Sequence, residues 1–276
     1  MVTFVRSCLV SVVTTASLLG CSGARNTHEL LNSVLWMQTS AEYQVFSKTA
    51  YKQAREALDK ALHEPTWTAT LEQGEDLDKL PPAVILDLDE TVLDNTSFEG
   101  RLIRSNTSYN RDQWEEWVQQ AVAPAVPGSL EFLEYARSRG VAIFFVTNRS
   151  GKHEESTRKN LQRLGIALPP EMDTVLSVGE RPYNWPADKA SRRSFLANQY
   201  RILLLIGDDL GDFVSGAVAA PEDRIRLAQQ YNNRWGVSWF LIPNPNYGSW
   251  ESSLYVKGLA DAEILKAKRA IIRDLP

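Results

Sequence analysis

The sequence predicts an α/β fold with a parallel five-stranded sheet, flanking helices and a smaller helical cap. Five short apolar runs bounded by polar or turn residues predict strands, at 83–86, 141–146, 174–178, 202–206 and 237–242. Helical patterns separate these runs, at 128–138, 152–164, 189–199 and 222–231. Because strand and helix patterns alternate, the strands are expected to be parallel, with a functional site at their carboxyl ends.

Two further segments are predicted to supply the cap. Residues 27–63 contain no Pro or Gly and carry apolar residues at helical spacing, which indicates one or two helices. Residues 94–127 follow the first strand and show no strand pattern, although a helix-like run surrounds Trp114 and Trp117. A structureless loop of that length is uncommon in a compact domain, so we interpret it as a cap insertion over the sheet edge.

The composition excludes several classes of protein. Of 276 residues, 43% are hydrophobic and 23% are charged, as in an ordinary soluble globule. The chain has 30 Lys+Arg against 34 Asp+Glu, a net charge of −4, and no run of basic residues. A nucleic-acid polymer is therefore not an expected partner, because it requires a basic face.

The amino terminus predicts export and lipid anchoring. A short start with Arg6 precedes an apolar run from Cys8 to Leu19, which is too short for a permanent membrane helix and predicts a signal peptide over 1–20. The tetrapeptide L-L-G-C ending at Cys21 resembles a bacterial lipobox, in which the cysteine is lipidated. Residues 21–82 would then be the lipidated tether and N-terminal helices, before a catalytic domain at 83–276. The expected location is the bacterial cell envelope, at the outer membrane.

Acidic motifs follow two of the predicted strands. The first strand runs into D-L-D-E-T, with Asp87 and Asp89, and the fourth runs into G-D-D-L-G-D-F, with Asp208 and Asp212. Carboxylates at such positions are costly unless a cation or a chemical role compensates them. Polar residues complete the pattern: Thr147 and Asn148 follow the second strand, and Lys189 begins the helix before the fourth.

These four elements, in this order, resemble the motifs of phosphatases of the haloacid dehalogenase (HAD) superfamily, and within it the class C acid phosphatases, which are bacterial lipoproteins. Further similarity lies in W-M-Q-T-S-A-E-Y at 36–43, A-V-P-G at 125–128 and P-N-P-N-Y-G-S-W at 243–250, so the resemblance covers nearly the whole mature chain. It implies a HAD-like Rossmannoid sheet with a cap, and the activity of an acid phosphatase or 5′-nucleotidase.

The resemblance also implies roles for the acids. Phosphomonoester hydrolysis needs a nucleophile, a proton donor for the leaving oxygen and positive charge around the phosphoryl group. The family assigns Asp87 as the nucleophile that forms an aspartyl-phosphate, and Asp89 as the general acid and base. It implies Mg²⁺ as the cofactor, held by Asp87 and Asp208, by the backbone carbonyl of Asp89, and through a water by Asp212.

The remaining residues are expected to bind the substrate. The resemblance implies that Lys189, the Thr147 hydroxyl and the Asn148 N–H cradle the phosphoryl oxygens. In the family, rings that match Trp114 and Tyr247 sandwich the base of a nucleoside monophosphate, so the expected substrate is a small phosphomonoester of this class. The resemblance also implies a homodimer.

The sequence alone leaves three questions open. A surface lipoprotein that binds a planar ligand, haem or a nucleotide, without turnover would share the anchor and the aromatic cap, although it has no use for the complete acid set. Phe98 stands where the family usually has Tyr, and Asp209 where Asn is common, so Asp209 either strengthens cation binding or faces a backbone amide. Phe98, Trp117 and Trp250 are equally compatible with a ligand contact and with the cap core.

Overall fold

Five parallel strands form the centre of the structure, a computed structural model that describes residues 27–273. They are ordered β3-β2-β1-β4-β5, which places β1 in the middle of the sheet. Their bounds are Pro82–Leu86 for β1, Ala142–Ser150 for β2, Val175–Val178 for β3, Arg201–Gly207 for β4 and Trp239–Leu241 for β5. The predicted parallel five-stranded α/β fold is confirmed, and β2 alone runs several residues beyond its predicted end.

Within residues 27–273 the chain forms ten α-helices. They are α1 Leu31–Thr39, α2 Ala41–His63, α3 Thr96–Ser105, α4 Arg111–Gln120, α5 Ser129–Ser138, α6 Glu154–Arg163, α7 Ala190–Ala197, α8 Pro221–Gln229, α9 Ser249–Ser252 and α10 Asp261–Ile271. The four helices expected between strands are α5 to α8. In this part of the chain, no helix has the length and apolarity needed to cross a membrane.

Alternate residues of the strands bury opposite faces of the sheet. On one face, Val84 and Leu86 of β1 belong to a core that includes Leu58 of α2. On the other, Ala83 and Ile85 belong to a second core with Leu196 of α7. Since successive strand residues point to opposite faces, apolar residues at every strand position require helices on both faces. Each fully buried Leu or Ile side chain contributes about 1.5–3 kcal/mol to stability.

The insertion after β1 forms a helical cap from α3 and α4. Its base is closed by the backbone N–H of Asp94, which donates to the carbonyl of Pro124 at 2.8 Å. The first N-terminal helix, α1, packs against α3 and so joins the cap, whereas α2 packs against α5, β4 and β5. One N-terminal helix therefore completes the cap, and the other covers a face of the sheet.

The C-terminal helix α10 ties the cap side of the molecule to the loop after β5. Lys268 lies 3.2 Å from a carboxylate oxygen of Glu29 and 2.5 Å from one of Glu251. The hydroxyl of Ser108, between α3 and α4, donates to Asp261 at 2.6 Å. The predicted signal peptide, 1–20, and the predicted lipidation residue Cys21 lie outside the described residues.

Candidate active site

Asp87 and Lys189 form a buried ion pair at the carboxyl edge of the sheet. The backbone N–H of Asp87 donates to the carbonyl of Ile206 in β4 at 2.9 Å, so this residue emerges directly from the strand pairing. Lys189, immediately before α7, contacts the Asp87 carboxylate with its Nζ, which also lies 2.6 Å from Oδ1 of Asp212. The lysine is only 6% exposed. A single ammonium group thus bridges acids that follow two adjacent strands.

Three carboxylates at this edge are placed to hold a metal ion. One oxygen each of Asp87, Asp208 and Asp212 lies within 4.8 Å of the others. Asp208 is oriented from both sides, since Thr91 donates its hydroxyl to Oδ1 at 3.1 Å and Asn244 donates Nδ2 to Oδ2 at 2.8 Å. Oxygen donors with their own hydrogen-bonded supports suit a hard divalent cation.

The electrostatics of the cluster favour an additional cation. Burial raises the pKa of Asp87 to about 7, against the lowering effect of Lys189. Burial also raises the pKa of Asp208 well above its ordinary value, and the charges of Asp212 and Asp87 add to this rise. Burial lowers the pKa of Lys189, but the carboxylates of Asp212 and Asp87 outweigh it and raise that pKa to about 12. The lysine therefore stays protonated, and the buried Asp87 and Asp212 and the half-buried Asp208 share its one positive charge.

Asp89 lies beside the cluster and is held by two neighbours. Nη2 of Arg149 lies 2.7 Å from Oδ1 of Asp89, and Nε lies 2.9 and 3.1 Å from its two oxygens. Asn95, near the start of the insertion, donates Nδ2 to Oδ1 at 2.9 Å. The side chain of Asp89 is separate from the three acids that could hold a metal, so any contribution of this residue to a metal comes from its backbone carbonyl.

Thr147 and Asn148 stand near the carboxyl end of β2, where the register with β3 shifts. The Thr147 hydroxyl is fully buried and accepts the backbone N–H of Arg149 at 3.1 Å, whereas Asn148 is exposed toward the cavity. Arg192 anchors this strand end, since its guanidinium donates to the Thr147 carbonyl at 2.5 Å and to Asn148 Oδ1 at 2.8 Å. The same guanidinium binds the carbonyl of Pro186 at 3.0 Å, which fixes the loop that leads to the lysine.

A cavity of about 730 Å³ opens beside these groups, and the acids and Lys189 are among the residues that line it. Aromatic side chains from the cap and from the loop after β5 line it, namely Phe98, Tyr109, Trp114 and Tyr247. Phe98 and Trp114 meet edge to face with ring centroids 5.2 Å apart. The Tyr247 hydroxyl donates to the buried carboxylate of Glu90, which anchors the ring at the cavity wall. The volume suits a small organic ligand.

The other two aromatic candidates do not line this cavity. Trp117 is 3% exposed, and its Nε1 donates to Asn95 Oδ1 at 2.8 Å, so it belongs to the cap core. Trp250 is 38% exposed and donates its Nε1 to the carbonyl of Tyr247 at 3.0 Å.

The structure explains the two departures from the family pattern. Asp209 accepts hydrogen bonds from the backbone N–H of Gly211 at 2.8 Å and from that of Ser249 at 2.6 Å, so it braces the loop that carries Asp212. Of the two open interpretations, the backbone-amide contact is the one observed. Phe98 is 4% exposed and packs on Trp114, so apolar contact suffices at this position.

The loop after β4 also depends on a glycine. A Cβ at Gly207 would collide with the carboxylate of Asp212, so no other residue fits beside this acid. Because Gly207 has no side chain, the carboxylate of Asp212 can lie against the end of β4. There, Oδ2 of Asp212 accepts a hydrogen bond from the backbone N–H of Asp209 at 3.0 Å.

Three functional side chains were missed by sequence reasoning. Arg149 is 2% exposed, and both Glu90 and Asn95 are fully buried. Apolar neighbours on both sides would mark a polar residue as buried, but Glu90 lies between Asp89 and Thr91, and Asn95 between Asp94 and Thr96. Arg149 has no such signal, because an arginine after a strand is usually a solvated side chain.

Comparison with known proteins identifies the family. Residues 15–250 match the family described as HAD superfamily, subfamily IIIB (acid phosphatase). The chain belongs to this family. The fold of this HAD subfamily IIIB chain is also similar to solved structures over most of its length. A class C acid phosphatase from Bacillus anthracis is 30% identical, with a TM-score of 0.79, over 90% of this chain and 98% of that one.

A second structure, of class C acid phosphatase from Bacillus anthracis with tungstate bound, is 31% identical with a TM-score of 0.80, over 91% of this chain and 99% of that one. Curated relatives are more distant. Acid phosphatase 1 of Solanum lycopersicum is 25% identical over 59% of this chain and 57% of that protein. The class B acid phosphatase of Morganella morganii is 28% identical over 46% of this chain and 56% of that protein. The chain thus spans a little over half the length of these curated relatives.

Proposed function

We propose that the protein is a Mg²⁺-dependent acid phosphatase that hydrolyses phosphomonoesters through an aspartyl-phosphate on Asp87. The observation that carries the proposal is the convergence of Asp87, Lys189 and the metal-ligand acids Asp208 and Asp212 in the wall of a ligand-sized cavity. Membership of the HAD subfamily IIIB supports it. So does the similar fold of a class C acid phosphatase that has tungstate bound, because tungstate is a tetrahedral oxyanion like phosphate.

The residues divide the reaction into two steps. An oxygen of Asp87 attacks the phosphorus, the bond between phosphorus and the ester oxygen breaks, and Asp89 gives a proton to that oxygen. Asp89 then takes a proton from water, which attacks the phosphorus of the aspartyl-phosphate and releases inorganic phosphate with Asp87 regenerated. Lys189 supplies positive charge to the phosphoryl oxygens, and polar groups at the end of β2 donate hydrogen bonds to them.

The donor set fits Mg²⁺. Asp87, Asp208 and Asp212 offer carboxylate oxygens at mutual distances within 4.8 Å, and the family implies the backbone carbonyl of Asp89 as a further ligand, with Asp212 acting through a water. When bound, the ion neutralises negative charge shared by the nucleophile and the phosphoryl group.

We expect the soluble mature chain, from residue 22 onward, to release phosphate from AMP near pH 5 to 6 when Mg²⁺ is present. EDTA should abolish the release and excess Mg²⁺ should restore it, because the three acids would otherwise repel the phosphate dianion. Colorimetric phosphate release is the measurement. A folded, Mg²⁺-loaded protein without turnover would contradict the proposal and would favour the alternative, a lipoprotein that binds a planar ligand.

The preferred substrates are proposed to be 5′-nucleoside monophosphates. Trp114 and Tyr247 line the same cavity as the acids and Lys189, and both rings are partly exposed. Flat rings stack on any nucleobase, each contact contributing about 1–3 kcal/mol. The same rings accept other aromatic phosphomonoesters.

Trp114→Ala is expected to lower kcat/KM for AMP by roughly tenfold or more, the loss of one stacking contact. Hydrolysis of a small aliphatic phosphate, which reaches no base-binding ring, should change by less than about threefold. Steady-state kinetics with both substrates checks this result. Equal losses for the two substrates would show that Trp114 supports the cap and does not bind the base.

The cellular setting is also a proposal. We infer that the protein is held at the outer membrane by a lipid on Cys21. Family resemblance supports a homodimer.

A further inference from the structure

Asn95 lies at the junction of cap and core, with its whole amide engaged. Its Nδ2 donates to Oδ1 of Asp89 at 2.9 Å and to Oε2 of Glu90 at 3.2 Å. Its Oδ1 accepts from Nε1 of Trp117 at 2.8 Å and from Nη2 of Arg149 at 3.3 Å. The residue is fully buried, so water does not compete for these contacts. An amide has two N–H donors and two acceptor lone pairs, and all four are used.

The chemistry of the partners fixes the direction of this amide. Indole and guanidinium groups only donate, so Oδ1 must face Trp117 and Arg149, and Nδ2 must face the acids. Asp89 and Glu90 follow β1, and Arg149 lies in β2. The Trp117 N–H is the one contact that comes from the middle of cap helix α4, so Asn95 joins that helix to the general acid.

The donors that reach Asp89 are shared unevenly between its two oxygens. Oδ1 accepts from Nη2 and Nε of Arg149 at 2.7 and 2.9 Å and from Asn95 at 2.9 Å, whereas Oδ2 receives only the longer contact from Nε at 3.1 Å. An oxygen with three donors around it has no capacity left for a proton. Oδ2 is therefore the oxygen able to carry a proton to a leaving group.

We propose that Asn95 is a positioning residue through which cap helix α4 sets the orientation of the Asp89 carboxylate. The inference rests on the proposed function, in which Asp89 protonates the ester oxygen. The Trp117 N–H binds Oδ1 of Asn95, and Nδ2 of Asn95 binds Oδ1 of Asp89. Oδ2 of Asp89 is thereby left for proton transfer. Without the Trp117 N–H, this orientation relaxes and proton donation slows, while the contacts of Lys189 and the three metal-ligand acids persist.

The dependence of rate on the leaving group separates this role from a structural one. AMP expels a ribose alkoxide, which needs a proton, whereas p-nitrophenyl phosphate expels a stabilised phenolate, which does not. The ratio kcat/KM covers the steps up to ester cleavage, so it reports the proton-donation step without the later hydrolysis of the aspartyl-phosphate. A mispositioned general acid must therefore lower kcat/KM for AMP selectively.

The test uses Trp117→Phe, which keeps an aromatic ring but removes the N–H together with part of the indole, with Asn95→Ala as a second variant. Trp239→Phe is the matched control, because that fully buried indole donates to the Ala69 carbonyl at 2.7 Å, remote from the cavity. We expect both test variants to lower kcat/KM for AMP about tenfold more than for p-nitrophenyl phosphate, and the control to leave this selectivity unchanged.

Equal losses for the two substrates in Trp117→Phe and Asn95→Ala, or no loss for either, would overturn the inference. An absence of turnover by the wild-type enzyme with both substrates would instead contradict the proposed function itself. Thermal unfolding of each variant, measured alongside, shows that the compared enzymes are folded.

Discussion

Asp87→Asn is expected to abolish phosphate release from AMP, with a fall in kcat of about four orders of magnitude or more. The amide is isosteric with the carboxylate but cannot attack phosphorus, so no aspartyl-phosphate forms. The substitution also removes one of the three acids that would hold Mg²⁺. Both effects act on the chemical step, and binding of the aromatic part of the substrate is not affected.

The measurement is phosphate release at saturating AMP and Mg²⁺, with Asp78→Asn as the matched control. Asp78 is exposed in the connection before β1, so the same change of charge there should leave the activity near wild type. If Asp87→Asn retained more than about a tenth of the wild-type activity, another group would have to be the nucleophile.

Lys189→Met is expected to abolish activity and also to destabilise the protein strongly in EDTA. Removing one partner of a buried ion pair leaves the other charge uncompensated and costs about 3–5 kcal/mol. Here the lysine contacts two acids, Asp87 and Asp212, and is almost fully buried. Saturating Mg²⁺ should recover part of the lost stability, because a bound ion supplies positive charge to the same carboxylates and stabilises the folded state that binds it.

Urea unfolding of the variant and the wild type, with EDTA and with Mg²⁺, measures these effects. Lys79→Met is the matched control, since Lys79 pairs with Asp76 at 3.1 Å on the surface, where the two side chains are 71% and 74% exposed. Its free energy of unfolding should change by less than about 1 kcal/mol. A Lys189→Met protein as stable in EDTA as the control would contradict the electrostatic account of the site.

The sequence predicts those parts of the site whose positions follow from the strand pattern or from the order of the motifs. Asp87 and Asp208 each follow a buried parallel strand, and β1 and β4 are neighbours in the sheet, so their carboxylates meet at one edge. Lys189 was assigned by motif order, and the structure brings its ammonium group between Asp87 and Asp212.

The parts that the sequence did not predict depend on distant partners. The pairing of Arg149 with Asp89 joins a residue in β2 to one that follows β1, and no local pattern identifies such a pair. In the cap, Trp114 and Trp117 lie one helical turn apart, yet one lines the cavity and the other is buried against Asn95. The face that each ring occupies is decided by how α4 packs on the core, which sequence periodicity alone does not determine.

The measurement that tests the central claim most directly is a search for phosphate on Asp87 in the Asp89→Asn enzyme. With p-nitrophenyl phosphate, formation of the aspartyl-phosphate needs no general acid, but its hydrolysis needs the general base that this variant lacks. The account predicts a burst of nitrophenol near one equivalent of enzyme, and a hydroxylamine-sensitive phosphoryl group on the peptide that contains Asp87. Steady nitrophenol release with no burst and no phosphorylated peptide would contradict it.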